Sequence, residues 1–183
     1  LPLPKGLEGT LDLIQPENDV DGFHSVNLGN LVQGKSGMKP CTPAGIVEML
    51  YRSGNNPEGK HIVIVGRSTI VGKPLALLLS QKGVDATVTV CHSRTPDIGE
   101  YCKQADILVA AVGYPNTITS DMVKQGAVVI DVGVNRTEEG LVGDTSYDVR
   151  KVAGELTPVP GGVGPMTVVM LMSNVVEASL KTD

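Results

Sequence analysis

Four short runs rich in Val, Ile, Ala and Leu recur along the middle of the chain: HIVIVG (61–66), ATVTVCH (86–92), DILVAAVG (106–113) and AVVIDVG (127–133). Each is nearly continuous in apolar residues rather than alternating, the pattern of strands covered on both faces. Segments of helical character separate them: PLALLLSQKG (74–83), DIGEYCKQA (97–105) and SDMVKQG (120–126). Strands alternating with helices predict an α/β fold, a doubly wound parallel sheet with right-handed crossovers. GELTPV (154–159) predicts a fifth strand.

Helices are expected on both sides of this block. CTPAGIVEMLYRSG (41–54) offers Thr42 as N-cap, Pro43 at the first helical position and Gly54 as a stop. MTVVMLMSNVVEASLK (166–181) is the longest apolar-periodic segment. The first 40 residues are loop-rich, with one short helix expected around Val26 to Val32. The pattern predicts a Rossmann-type nucleotide-binding domain over residues 41–160. Residues 1–40 and 161–183 are expected to form part of a second, substrate domain.

Composition narrows the function classes. The net charge of −5 argues against a nucleic-acid surface, and 3% aromatics with no Trp argue against base-stacking platforms. No run is read as approaching the roughly 18 apolar residues of a membrane span, so no membrane role is expected. Cys41, Cys91 and Cys102 lack metal-type spacing, which fits a reducing, cytoplasmic compartment. Cys91 and Cys102 read as small buried apolar residues. His24, His61 and His92 are scattered, so no metal site is expected.

The stretch HIVIVGRSTIVGKPLALLL (61–79) carries the chemistry. It is not a P-loop: five residues separate Gly66 from Gly72, one too many, and Pro74 stands where a magnesium-binding hydroxyl belongs. The G-x-G-x-x-G dinucleotide fingerprint also fails, because Ser68 occupies the second glycine position. The setting still suits a dinucleotide, since a strand ends at Gly66 and a helix opening near Pro74 would offer unpaired N–H groups to a pyrophosphate. A plain strand-to-helix turn is the alternative. NAD sites usually carry an acid at the end of the next strand to hold the ribose 2′-hydroxyl. Here that strand ends in His92, Ser93, Arg94 and Thr95, with Arg67 in the turn beside it. Arginines and hydroxyls in place of an acid favour the 2′-phosphate of NADP.

Taken together, IVGRSTIVGKP, CHSRT, ADILVAAVG, GAVVIDVGVNR and TPVPGGVGPMT resemble the methylenetetrahydrofolate dehydrogenase/cyclohydrolase family, as do DVDGFH and PCTPAGI. PVPGGVGPMT separates this family from other NADP oxidoreductases, such as the shikimate dehydrogenase type. The resemblance implies a homodimeric enzyme of one-carbon metabolism acting on tetrahydrofolate derivatives with NADP. It would oxidise 5,10-methylenetetrahydrofolate and hydrolyse the methenyl product to 10-formyltetrahydrofolate. It implies cofactor contacts at Gly66, Arg67 and Ser68, the 2′-phosphate at Ser93, and Val134 on the nicotinamide side. Folate contacts are implied at Leu1, at Asp21 and along the loop Pro160, Gly161, Gly162, Val163, Gly164, Pro165, Met166 and Thr167. Asp21 matches the carboxylate at the pterin ring and is the one member of the family's catalytic set present in this sequence. From residues alone, Asp21 reads sooner as an Asp–Gly turn, and Asp131, at a strand end, is read as a structural carboxylate rather than a catalytic one.

The family's catalytic lysine and tyrosine, in a Tyr-x-x-x-Lys motif on an N-terminal helix, have no counterpart here. Tyr147 and Lys151 have that spacing but lie in another segment and read as a surface helix pair. The sequence is therefore expected to lack roughly the first third of a family member. A non-catalytic NADP-binding module remains the alternative.

Overall fold

The computed structural model describes residues 13–138 and 140–180. Its centre is a parallel sheet of β1 (His61–Val65), β2 (Thr87–Cys91), β3 (Ile107–Ala110), β4 (Val128–Asp131) and β7 (Glu155–Leu156), in the order β2-β1-β3-β4-β7. The four apolar runs therefore form parallel strands as their pattern predicts. Helices α2 (Cys41–Arg52), α3 (Gly72–Leu79) and α5 (Val163–Leu180) accompany the sheet, along with α1 (Ser25–Val32) and the short α4 (Ile98–Cys102). One buried cluster joins Ile62, Ile64, Val109 and Ile130 to Ile46 and Leu50 of α2 and Leu75 and Leu79 of α3. The other joins Val63, Val65, Leu108 and Val129 to Cys91, Cys102, Ile118 and Val149. Each fully buried Ile or Leu contributes roughly 1.5–3 kcal/mol, so these two layers hold the sheet.

Several boundaries differ from the expected ones. Helix α2 begins at Cys41 with Pro40 as its cap, and the Ala44 N–H closes the first turn on the Pro40 carbonyl. Thr42 therefore lies inside the helix rather than at the cap. Pro43 still sits in the first turn, where a missing N–H costs nothing. Helix α3 opens at Gly72, before Pro74, because the Ser68 hydroxyl accepts the N–H groups of Val71 and Gly72. Helix α5 opens at Val163, so Val163 to Thr167 form its first turns and only Pro160 to Gly162 remain loop.

Segment 120–126 keeps only a 3-10 turn at Ser120–Met122. The fifth strand shrinks to two residues because Pro158 and Pro160 have no N–H to continue the ladder. Strand β2 is an edge strand and only partly buried. A short antiparallel pair, β5 (Asn135–Thr137) with β6 (Gly140–Val142), follows β4 and was not foreseen. Tyr147 lies in a 3-10 turn, where the Arg150 guanidinium, not Lys151, covers its ring at 3.5 Å.

Helix α5 also corrects the membrane reading. Its 18 residues have mean hydropathy 1.4, enough by length and composition alone to cross a membrane. One side is nonetheless pinned to the rest of the protein. Buried Asn174 donates to the carbonyls of Val20 and Lys39, and the Thr167 and Thr42 hydroxyls meet at 2.9 Å.

Candidate functional site

The expected cofactor residues follow the carboxyl ends of the parallel strands: Gly66, Arg67 and Ser68 after β1, Ser93 after β2 and Val134 after β4. Sheet order reverses at β1, with β2 on one side and β3 on the other. Dinucleotides bind across such a switch point, outside the strand ends.

The turn leaving β1 is built for close approach. Gly66 has φ +133°, and a Cβ there would fall on the Ala111 carbonyl oxygen behind β3. A Cβ on Gly72 would fall on the Gly66 carbonyl oxygen. Glycine is therefore required at both ends of the turn, and the cradle closes on its own backbone. Arg67 and Ser68 are exposed at its rim. Because the Ser68 oxygen accepts from Val71 and Gly72, its hydroxyl proton is directed elsewhere and can be offered to an anion.

Strand β2 ends beside this turn, and the Gly66 N–H donates to the Cys91 carbonyl. Residues 92–95 then close on themselves. The His92 N–H donates to the Thr95 hydroxyl, the Thr95 N–H to the His92 carbonyl, and the Arg94 N–H to His92 Nδ1. This tight turn leaves Ser93 and Arg94 exposed, with no acid among its four residues. Val134 follows β4 and is 63% exposed.

The candidate folate residues gather around the starts of α2 and α5. The DVDG segment divides its labour between two acids. Buried Asp19 makes the turn, accepting the N–H groups of Gly22 and His24 and the Asn27 side-chain amide. Asp21 is exposed and accepts none of these bonds. Cys41, at the start of α2, reports how near these acids lie. Burial first, then the Asp21 and Asp19 charges, push its thiol up to about 11. Next to it, the Thr42 hydroxyl meets Thr167, whose hydroxyl also bonds the Val163 carbonyl. Val163 packs in one cluster with Ile46 of α2 and Val71 of the cofactor turn, so the two candidate sites share a wall. Leu1 lies outside the described residues.

Asp131 is structural, as one sequence reading held. It is buried and accepts the N–H groups of Gly133, Asp144 and Thr145 and the Thr145 hydroxyl. Sequence reasoning missed its neighbour Asp144, which is fully buried and accepts the N–H groups of Val112 and Gly113. A Gly–Asp–Thr string reads as a turn, and nothing local signals donors some thirty positions earlier. Among the described residues, no group of three His, Cys, Asp or Glu side chains could hold a metal ion.

A family model described as the tetrahydrofolate dehydrogenase/cyclohydrolase NAD(P)-binding domain matches residues 40–183. The chain belongs to this family. It is 57% identical over 181 residues to the bifunctional protein FolD of Oleidesulfovibrio alaskensis, covering 96% of this chain and 63% of that relative. The bifunctional FolD methylenetetrahydrofolate dehydrogenase/cyclohydrolase of Campylobacter jejuni shares the fold with a TM-score of 0.95 and 46% identity. That likeness covers all of this chain and 66% of the other. The Trypanosoma brucei dehydrogenase-cyclohydrolase, solved with NADP cofactor and inhibitor, has a TM-score of 0.90 and 42% identity, over 100% of this chain and 65% of its own. The chain thus spans just under two thirds of the length of these relatives.

Proposed function

We propose that this chain forms the NADP-binding part, and one wall of the folate site, of a 5,10-methylenetetrahydrofolate dehydrogenase with 5,10-methenyltetrahydrofolate cyclohydrolase activity. The observation that carries the reading is the paired turn at the ends of β1 and β2. A glycine cradle bearing Arg67 lies beside a tight turn that presents Ser93 and Arg94 and no acid.

The residues divide the work as follows. The backbone of Gly66 to Gly72 receives the pyrophosphate against the start of α3, and the Ser68 hydroxyl donates to it. Arg67 and Ser93 take the 2′-phosphate through charge-assisted hydrogen bonds. Val134 lies against the nicotinamide side. NADP, when bound, supplies the acceptor for the hydride leaving the one-carbon unit. The exposed Asp21 carboxylate has both oxygens available to accept a ring N–H and an amino N–H of the pterin. Pro160 to Gly162 and the first turns of α5 shape the neighbouring wall, with the Thr167 hydroxyl already committed to Thr42 and Val163. We assign residues 1–40 and 161–183 to the substrate side. The outward apolar positions Val168, Val169, Met172 and Val176 of α5 support this, since they suit contact with a further part of such a domain. We also propose a homodimer, on the strength of the family resemblance.

Calorimetric titration of this chain with NADP⁺ tests the cofactor assignment. Following NADPH absorbance after adding 5,10-methylenetetrahydrofolate to a form spanning the relatives' full length tests the reaction. Micromolar NADP⁺ binding with hydride transfer in the longer form is expected. No NADP⁺ binding would overturn the proposal.

A further inference from the structure

Two buried carboxylates stand in series behind the strand ends. Asp131 takes four hydrogen bonds, among them the Asp144 N–H at 2.8 Å. Asp144 takes three more, from the N–H groups of Val112 at 2.6 Å and Gly113 at 2.9 Å and from the Asn135 amide at 2.9 Å. No salt bridge found among the described residues involves either carboxylate. Their charges are met by neutral donors alone, which is a costly way to hold a loop unless its backbone position matters.

The donors are not scattered. Val112 and Gly113 lie in the loop after β3, and Gly133 precedes Val134 in the loop after β4. Even the glycines conform: a Cβ on Gly133 would land on the Asp144 carboxylate, and one on Gly143 on that of Asp131. The pair thus fixes the loops after β3 and β4 against each other without reaching the surface.

In a dinucleotide fold the adenosine half lies toward the end of the second strand, and the other half crosses the switch point. On the NADP-binding reading that second half would pass the loops after β3 and β4, where Val112 is 40% and Val134 63% exposed. We infer that Asp144 is a positioning residue for the nicotinamide half of the cofactor, acting through the Val112–Gly113 backbone it grips and, through Asp131, the Gly133–Val134 loop. This inference rests on the NADP-binding reading above.

The test compares two ligands. NADP⁺ carries both halves; adenosine 2′,5′-bisphosphate carries the adenosine half alone. In Asp144→Asn the amide keeps one accepting oxygen, and its NH₂ must meet either the loop N–H groups or the Asn135 amide. NADP⁺ affinity is expected to fall by roughly 10–100-fold, the scale of lost hydrogen bonds to a charged group, while adenosine 2′,5′-bisphosphate shifts less than about twofold. If Asp144→Asn does not fold, Asn135→Ala removes one donor to Asp144, and a several-fold loss confined to NADP⁺ is expected. Equal losses for both ligands, or none, would overturn the positioning role. Failure of the unaltered protein to bind either ligand would overturn the cofactor reading, and the inference with it.

Discussion

Thr42 and Thr167, 125 positions apart, meet hydroxyl to hydroxyl at 2.9 Å and join the first turns of α2 and α5. Close by, Gly45 lies against Met166, where a Cβ would come within 3.3 Å of the Met166 side chain. Helix α5 is held to the nucleotide-binding core at this seam.

Thr42→Val keeps the branched shape and removes the hydroxyl, while Thr167 retains its bond to Val163. The expected loss is about 0.5–1.5 kcal/mol, one net hydrogen bond, read by urea denaturation. NADP⁺ affinity should stay within about twofold, because the cofactor turn is untouched.

The parallel sheet was legible because β1, β3 and β4 are buried on both faces, which leaves a continuous apolar run in the sequence. The pair β5–β6 was not, since three-residue strands such as Asn135–Thr137 are exposed and carry no period. One helix start depended on a distant partner, since Val163 is drawn into the core beside Ile46. The glycine turn and the missing acid after β2 could be read directly, because they are local. Asp144 could not, because its donors lie far away in sequence.

Asp19 and Asp21 are two positions apart, yet their substitution should differ sharply. Asp19→Asn turns an NH₂ toward donors from Gly22, His24 or Asn27, at an expected cost of about 1–3 kcal/mol. Asp21→Asn should change stability by less than about 0.5 kcal/mol, as at other exposed sites. Paired denaturation curves check this. In a full-length form, Asp21→Asn should weaken binding of a folate analogue and spare NADP⁺.

Gly72→Ala places a methyl group on the Gly66 carbonyl oxygen, which is backbone and cannot swing aside. The turn must open, at an expected cost of about 1–3 kcal/mol. Cofactor affinity should fall with it. An unchanged melting temperature and unchanged NADP⁺ binding would show that the cradle is looser than described.

Alkaline pH should destabilise the protein. Burial raises the Cys102 thiol to about 12, with Cys91 adding to it, and the Cys41 thiol to about 11, both from an ordinary 9.0. Groups whose folded pKa is raised contribute stability that is complete below pH 9, the unfolded value. It is lost as pH rises through the folded values. The melting temperature should therefore decline above about pH 9, and Cys102→Ala should flatten that decline once its cavity cost is subtracted at pH 7.

Arg67 carries the central claim, that the turn after β1 reads a 2′-phosphate in place of the acid missing after β2. Titrating NADP⁺ and NAD⁺ against the unaltered protein and Arg67→Ala measures it directly. The account predicts that the substitution weakens NADP⁺ by roughly 10–100-fold, the loss of a charged hydrogen bond, and leaves NAD⁺ within about threefold. Equal losses for the two cofactors would contradict it.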